Sequence, residues 1–355
     1  MDCLKGTAGW REPVSLLHFL GDVWLPKPVR SNVSFQGDVI LNLESPITKS
    51  TKAMPGKINL KAESNCLTEV FGRPPLAVCL ANNHIMDFCD EGFFDTLASL
   101  EENNTKYFGA GELAANCNNP LMLDIGGTNV ALLGYSRPVG GILADRNHIG
   151  AMPADMHAII NDIAAARRAG ATRVILSFHW GAMEVYLPKP EDVQMAHKLV
   201  DAGADLIVGH HAHRIQAYEV YRNRHVFYGL GNCIFPDLDV PSHFDQAGQS
   251  HGRRIDKQQP WNRISLAVSF DVNTAKVGVS VLSFDGEELN VAKHNAGRYM
   301  QSFASLSGYE SKYRRSWVRG NVRAVIARYL SQPKLPRWRH VRRLASLLLG
   351  RGCSS

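Results

Sequence analysis

The densest chemical signal in this sequence is GHHAH (209–213), which directly follows the apolar run DLIV (205–208). In extended backbone at a strand end, residues two apart project to the same side, so His211 and His213 can present two imidazoles to one centre. Neutral imidazole is the commonest nitrogen donor to zinc, iron or manganese. The alternative is a surface turn that happens to be rich in histidine, which the buried character of the preceding run disfavours. ANNH (81–84) also closes an apolar run. Asn83 offers a carbonyl oxygen to a metal, while His84 could act on a leaving group or steady an oxyanion; an Asx turn opening a helix would account for the same residues. SFHWG (177–181) supplies His179 at another strand end, with Gly181 allowing close backbone approach. Carboxylates come from FLGDVW (19–24) and NLESP (42–46), where Asp22 and Glu44 each follow an apolar run. Holding two divalent ions about 3.5–4 Å apart requires a bridging anionic oxygen plus carboxylate and imidazole donors from several segments. Taken singly, either carboxylate could instead cap a turn.

The elements that must position these residues are short apolar runs, 15–22, 38–45, 76–84, 129–136, 172–181, 205–213 and 225–232, many of them ending on a polar cluster. They read as buried strands delivering loops to one edge of a sheet. Between several of them lie stretches of helical period, 90–102, 153–168 and 190–202, so the pattern is α/β. Sheets of this kind gather the C-terminal ends of their strands into one crevice, and that gathering makes the five polar strand ends count together. Residues 264–272 and 276–286 alternate and are joined by a turn containing Asn273, as expected of a hairpin. The Pro-, Asp-, Gln-, Ser- and Gly-rich stretch 236–262 is expected to be a long loop near the site or partly mobile. After about Arg298 the pattern turns helical and basic.

Charge is unevenly spread over the 355 residues. Lys312 to Arg351 contains 12 of the 39 Lys and Arg and no Asp or Glu, leaving 27 basic against 33 acidic residues elsewhere. The chain is thus an acidic body with a basic C-terminal stretch. Seven scattered cysteines without a CxxC pair argue against a disulfide framework and a thiolate zinc site, and point to a reducing compartment. No signal peptide is read in the first 25 residues, and no stretch reaches the ~18–20 apolar residues of a spanning helix. The expected location is cytoplasmic, with the inner membrane surface as a further site: WRHVRRLASLLLGR (338–351) sets Leu344, Leu347 and Leu348 against Arg339, Arg342 and Arg343 in an amphipathic pattern suited to peripheral contact with an anionic membrane. A basic helix packed on the acidic body is the alternative. No specific nucleic-acid partner is expected, because no reader motif accompanies the charge.

The ordered series GDV, NLESPIT, LANNHIMDF, EGFFDTL, GAGE, SFHWGAMEVY, DAGADLIVGHHAHRIQAYEVY and YGLGNCIF, over about residues 15 to 285, resembles the CapA family, which is associated with capsule and poly-γ-glutamate synthesis and is related to the metallophosphatase superfamily. The resemblance implies a four-layer α/β sandwich, two mixed sheets face to face with helices outside, as a domain over 15–290 followed by a basic helical extension over 298–355. It also implies divalent metal ions, one or two, whose identity among Mn, Fe, Zn and Mg is open. On that basis Asp22 binds one metal, Glu44 bridges, Asn83, His179 and His211 serve the second metal, and His213 returns to the first. His84 takes the position that protonates a leaving group, and His210 supports the centre or contacts substrate. One departure stands out. Related phosphatases open with Asp-x-His, whereas here Trp24 lies two positions after Asp22, which removes an imidazole from the first metal.

Three functions follow as expectations. The first is a hydrolase in which a metal-bound hydroxide attacks a phosphoester or amide-like bond of an anionic polymer or its precursor; Arg214, Glu184 and Lys189, beside the metal motifs, are candidates to select substrate, with a solvated surface role as the alternative for each. The second keeps the metal for acid/base chemistry on a peptide-like substrate: transfer, cyclisation or epimerisation. The third is a non-catalytic component of polymer assembly.

Overall fold

Alternation of side chains across extended strands decides which residues reach the middle of this protein. In the strand Thr128–Ser136, Val130 and Leu132 join an apolar layer with Leu17, Phe19 and Ile40, which belong to another sheet, whereas Ala131, Leu133 and Tyr135 join Ile159, Ile163, Val193 and Leu199 from helices. The opposite face of the other sheet, including Leu41 and Val78, packs against Leu67, Val70, Phe93 and Leu100, again from helices. The resulting order is helix, sheet, sheet, helix: a four-layer α/β sandwich. The computed structural model describes residues 15–113, 117, 119–137, 140–293, 295–300 and 308–331.

The larger sheet has nine strands. Its path runs Arg30–Ser31, Glu288–Val291, Val277–Phe284, Ile264–Asp271, Leu16–Val23, Asp38–Leu43, Ala77–Cys79 and Lys106–Phe108, with Asn232–Ile234 also paired to Leu16–Val23. The smaller has six, in the order Tyr218–Tyr221, Arg224–Phe227, Leu206–His210, Arg173–His179, Thr128–Ser136 and Leu121–Ile125. Both are mixed. Leu16–Val23, Asp38–Leu43 and Ala77–Cys79 run parallel in the first, as do Thr128–Ser136, Arg173–His179 and Leu206–His210 in the second. The helices Cys89–Glu102, Met156–Arg168 and Pro190–Asp201 fall where helical period places them. Asp155 caps the second by accepting from the Ala158 amide, and Pro190 occupies the first turn of the third. The expected hairpin is present, with Phe270 opposite Val277. The five described cysteines are free, and no described helix is long and apolar enough to cross a membrane.

Two stretches differ from expectation. Residues 236–262 are not a loop: Leu238–Phe244 and Ser250–Asp256 form an antiparallel ribbon, followed by a turn at Pro260–Arg263. None of the fourteen strand residues is buried, so no apolar alternation marks them in sequence. The run 225–232 is two strands in different sheets. Gly231, at φ 80°, turns the chain from the smaller sheet into the larger.

The helix Tyr309–Ser331 packs on the body. Tyr309 is buried among the outer helices and its hydroxyl donates to Pro188 O at 2.8 Å, while Gly320 lies so close that a Cβ there would sit 2.6 Å from Glu184 O. Residues 332–355, including the amphipathic pattern of 338–351, lie outside the described residues.

Candidate metal centre

Period-2 geometry delivers the site residues to the edge of the layer between the sheets. Ile175 and Leu206 face that layer, so His179 and His210, four residues on along their strands, end on the same face. Ile40 does the same for Asn42 and Glu44. Strict alternation would put Asp22 on the wrong side, with Leu20. A bulge prevents this: pairing with Asp38–Leu43 shifts register between Leu20 and Asp22, and Leu20 and Val23 consequently share one face although three residues apart. Gly21 is required there, because a Cβ would lie 1.9 Å from Gly231 O.

All six expected ligands converge. Donor atoms of Glu44, His179 and His211 lie within 4.8 Å of one another, as do those of Asp22, Glu44 and His213. Glu44 belongs to both triads. His179 Nε2 is 2.6 Å from Asn83 Oδ1, 3.1 Å from His211 Nδ1 and 3.6 Å from Glu44 Oε1. His213 Nδ1 is 3.7 Å from Asp22 Oδ2, and its Nε2 is 3.7 Å from Glu44 Oε1. Positive φ at His211 (83°) and His213 (54°) shows the backbone held in a costly conformation to aim these rings.

The electrostatics fit a cation. Glu44 is fully buried, and neither of its carboxyl oxygens has a hydrogen-bond partner among the described residues. A buried carboxylate left this way is expensive unless paired or coordinated to metal. Burial, then the negative charge of Asp22, pushes the Glu44 carboxyl well above its usual range. Burial also raises Asp22, but His210, His213 and Asn42 outweigh it and hold that carboxyl below its ordinary value. Burial and the neighbouring imidazoles push His179 far down and His211 to about 3, so both rings are neutral and ready to donate. Asp22, Glu44 and His213 could hold one ion; Glu44, Asn83, His179 and His211 could hold a second.

Supporting residues complete the arrangement. His213 Nδ1 donates to Asn232 Oδ1 at 2.9 Å, which leaves Nε2 bare towards Glu44. Asn42 Nδ2 and the His211 amide donate to Asp22 at 2.9 and 3.2 Å. His210 sits behind the centre, 3% exposed, with Nδ1 3.1 Å from Asp22 Oδ1. It does not line the cleft, so its position suits orienting Asp22 and not contact with substrate. Trp24 turns away: its Nε1 donates to Lys61 O at 3.0 Å, and its ring packs on Phe235, which in turn abuts the His213 ring. His84 Nδ1 donates to Asp87 at 2.7 Å, and Asp87 is itself held by Lys57 at 2.5 Å and by the Leu60 amide. Sequence reasoning missed Asp87, Lys57 and Asn232. The only signal for Asp87 and Asn232 was their place inside quoted motifs, Asp87 next to last in LANNHIMDF and Asn232 within YGLGNCIF, and Lys57, outside every motif, carried none. A cleft of ≈ 360 Å³ opens in front, lined by Asn83, His84, His211 and His213 together with Lys57, Arg254, Lys257 and Glu184. Glu184 accepts from Trp261 and Asn262. Of the other residues expected to select substrate, Arg214 turns into a neighbouring groove, and Lys189 occupies the N-cap position of the helix Pro190–Asp201 without a side-chain capping bond.

Residues 24–237, more than half of the chain, match the family described as bacterial capsule synthesis protein PGA_cap. The chain belongs to this family. The match includes every candidate ligand except Asp22, which lies two residues before it. Relatives named for the same biology include the capsule biosynthesis protein CapA of Bacillus anthracis, 29% identical over 240 residues, covering 61% of this chain and 58% of that protein. Another is the PGA biosynthesis protein CapA of Bacillus subtilis, 33% identical over 198 residues, 55% of this chain and 52% of that protein. The chain therefore spans a little over half the length of these family members. Among solved structures, a 5'-nucleotidase precursor from Thermus thermophilus is 14% identical with a TM-score of 0.36, over 71% of this chain and 44% of that one. A calcineurin-like phosphoesterase from Bacillus subtilis is 10% identical with a TM-score of 0.38, over 87% and 97%.

Proposed function

We propose that this chain is a metal-dependent hydrolase acting on a phosphoester or amide-like bond of an anionic polymer, or its precursor, in capsule or poly-γ-glutamate production. The observation that carries this reading is Glu44, buried, without hydrogen-bond partners among the described residues and common to both donor triads, as a bridging ligand must be. Family membership supports the polymer class. When bound, a divalent pair supplies Lewis acidity and lowers the pKa of water at the cleft floor. The residues do the rest. Lys57, Arg254 and Lys257 line the cleft beside Asp256 and Glu184; Lys57 is paired with Asp87 and Arg254 with Asp256, and Lys257, in no ion pair among the described residues, is the cation left to meet an anionic substrate. His84, with Nδ1 engaged by Asp87, keeps Nε2 for passing a proton to the leaving group. The buried neutral imidazoles of His179 and His211 do not compete for that proton.

A second reading, proton chemistry on a peptide-like substrate at a single ion, is favoured by one observation: Trp24, where an imidazole would complete the first site, is tied to Lys61 O and cannot ligate. The two are separated by assaying the manganese-reconstituted full chain on a chromogenic phosphodiester and on a γ-glutamyl peptide. Hydrolysis of either, with His84→Asn slower by roughly 10²-fold or more at unchanged metal content, is the expected result. Isomerised or cyclised peptide without hydrolysis would replace the first reading with the second, and no turnover of either at full metal loading would leave a role in assembly.

A further inference from the structure

A groove of ≈ 600 Å³ runs between the helix Tyr309–Ser331 and the segment carrying Tyr186. Five cations line it, Arg214 from the body and Lys312, Arg315, Arg319 and Arg323 from the helix, with no carboxylate among the lining residues. Other arginines of this protein have partners, as Arg167 and Arg224 do in Asp205, but among the described residues none of these five forms an ion pair. Glu184, whose backbone oxygen accepts from Arg214, has its carboxylate engaged by Trp261 and Asn262. Arg214 lies over the rings of Tyr186 and Trp261 at 5.7 and 5.9 Å, and its Nε is buried without a partner. Spacings of three, four and four residues put the helix cations on one face, and eleven residues at 1.5 Å each make the row about 16 Å long. Like charges gathered so closely repel unless an anion lies among them.

The row ends at the metal cleft. Ala324, the residue after Arg323, lines that cleft, as does Glu184, against whose backbone Gly320 packs. We propose that the groove is a track for a linear polyanion, seating several successive acidic groups while one end of the chain reaches the metal cleft; this rests on the reading of that cleft as a site for an anionic polymer. Four of the five cations are arginine, whose planar fork suits repeated carboxylate or phosphate groups. A flexible chain can enter the groove to reach Arg214 and Tyr186, whereas a flat bilayer meets only the exposed helix face.

The experiment is fluorescence anisotropy with the full chain and labelled poly-L-glutamate of about 20 residues, several times the roughly five extended residues that span 16 Å. Wild type is compared with Arg315→Gln/Arg319→Gln/Arg323→Gln and with the tail variant Arg339→Gln/Arg342→Gln/Arg343→Gln, with circular dichroism and metal content as controls for folding. The expected result is polymer binding that persists in chelator and is weakened roughly tenfold or more in the groove variant, with the tail variant within about twofold and monomeric glutamate unbound. Arg315→Glu alone, at an exposed position, should weaken binding as well. Equal affinity in the groove variants, loss that follows the tail variant instead, or binding to phosphatidylglycerol vesicles without binding to polymer would overturn the proposal. Because the binding is read without metal, its failure is distinct from a failure of hydrolysis.

Discussion

Replacing Glu44 with glutamine should stabilise the metal-free protein and cripple the metal-loaded one. In the metal-free protein the Glu44 carboxyl is buried, has no hydrogen-bond partner among the described residues and lies close to the charge of Asp22; burial first, then that charge, raises its pKa above the unfolded value. A group so raised holds a proton in the folded state that it releases on unfolding, so its contribution is full below the unfolded pKa and is lost as pH rises through the folded one. At pH 8 the carboxyl is therefore a liability that an uncharged amide relieves. Allowing for the cost of burying that amide, the net gain should be about 1–2 kcal/mol. At roughly 2.1 cal/mol/K per residue, a chain of 355 residues converts this to a rise of about 1–3 °C in Tm. Metal inverts the order, because an ion at a thousand times its Kd stabilises the wild type by about 4 kcal/mol and the variant far less. Thermal melts at pH 8 with EDTA and with excess manganese measure both halves. A Glu44→Gln protein that melts below wild type in EDTA would refute the argument, since Glu44 would then have a stabilising partner.

Asp192 offers a pH test away from the site. Its burial, only partly offset by Arg137 at 3.3 Å, raises the carboxyl to about 7; wild-type stability should fall as pH rises from about 4 to 7, and Asp192→Asn should flatten that slope in urea titrations. Gly21→Ala forces a methyl to within 1.9 Å of Gly231 O, so the bulge must shift; a loss of about 1–3 kcal/mol with weakened metal binding is expected from denaturation and elemental analysis. Asn232→Ala removes the acceptor that fixes the His213 tautomer and should lower metal affinity 10–100-fold by competition with a chelator, with Tm in EDTA little changed.

The candidate ligands were legible because each closes an apolar run, and parallel strands bring such ends together. Asp22 was placed among the other donors for an incomplete reason: alternation alone points it at the helices, and only the bulge at Gly21, set by the distant Gly231, turns it inward. The ribbon of residues 238–256 was invisible because solvent on its faces leaves no apolar period to read. Asn232 opens a three-residue strand whose partners arise only on folding. The helix arginines of the groove were visible only as part of a helical, basic stretch, and Arg214, about a hundred residues earlier, joins them only through packing.

Elemental analysis of reconstituted protein tests the shared bridge at Glu44 most directly. Wild type should carry two divalent ions per chain, His211→Ala and His213→Ala should each lose a different one, and Glu44→Gln should lose affinity for both. Two ions retained in Glu44→Gln, or a wild type that binds none under saturating metal, would contradict it.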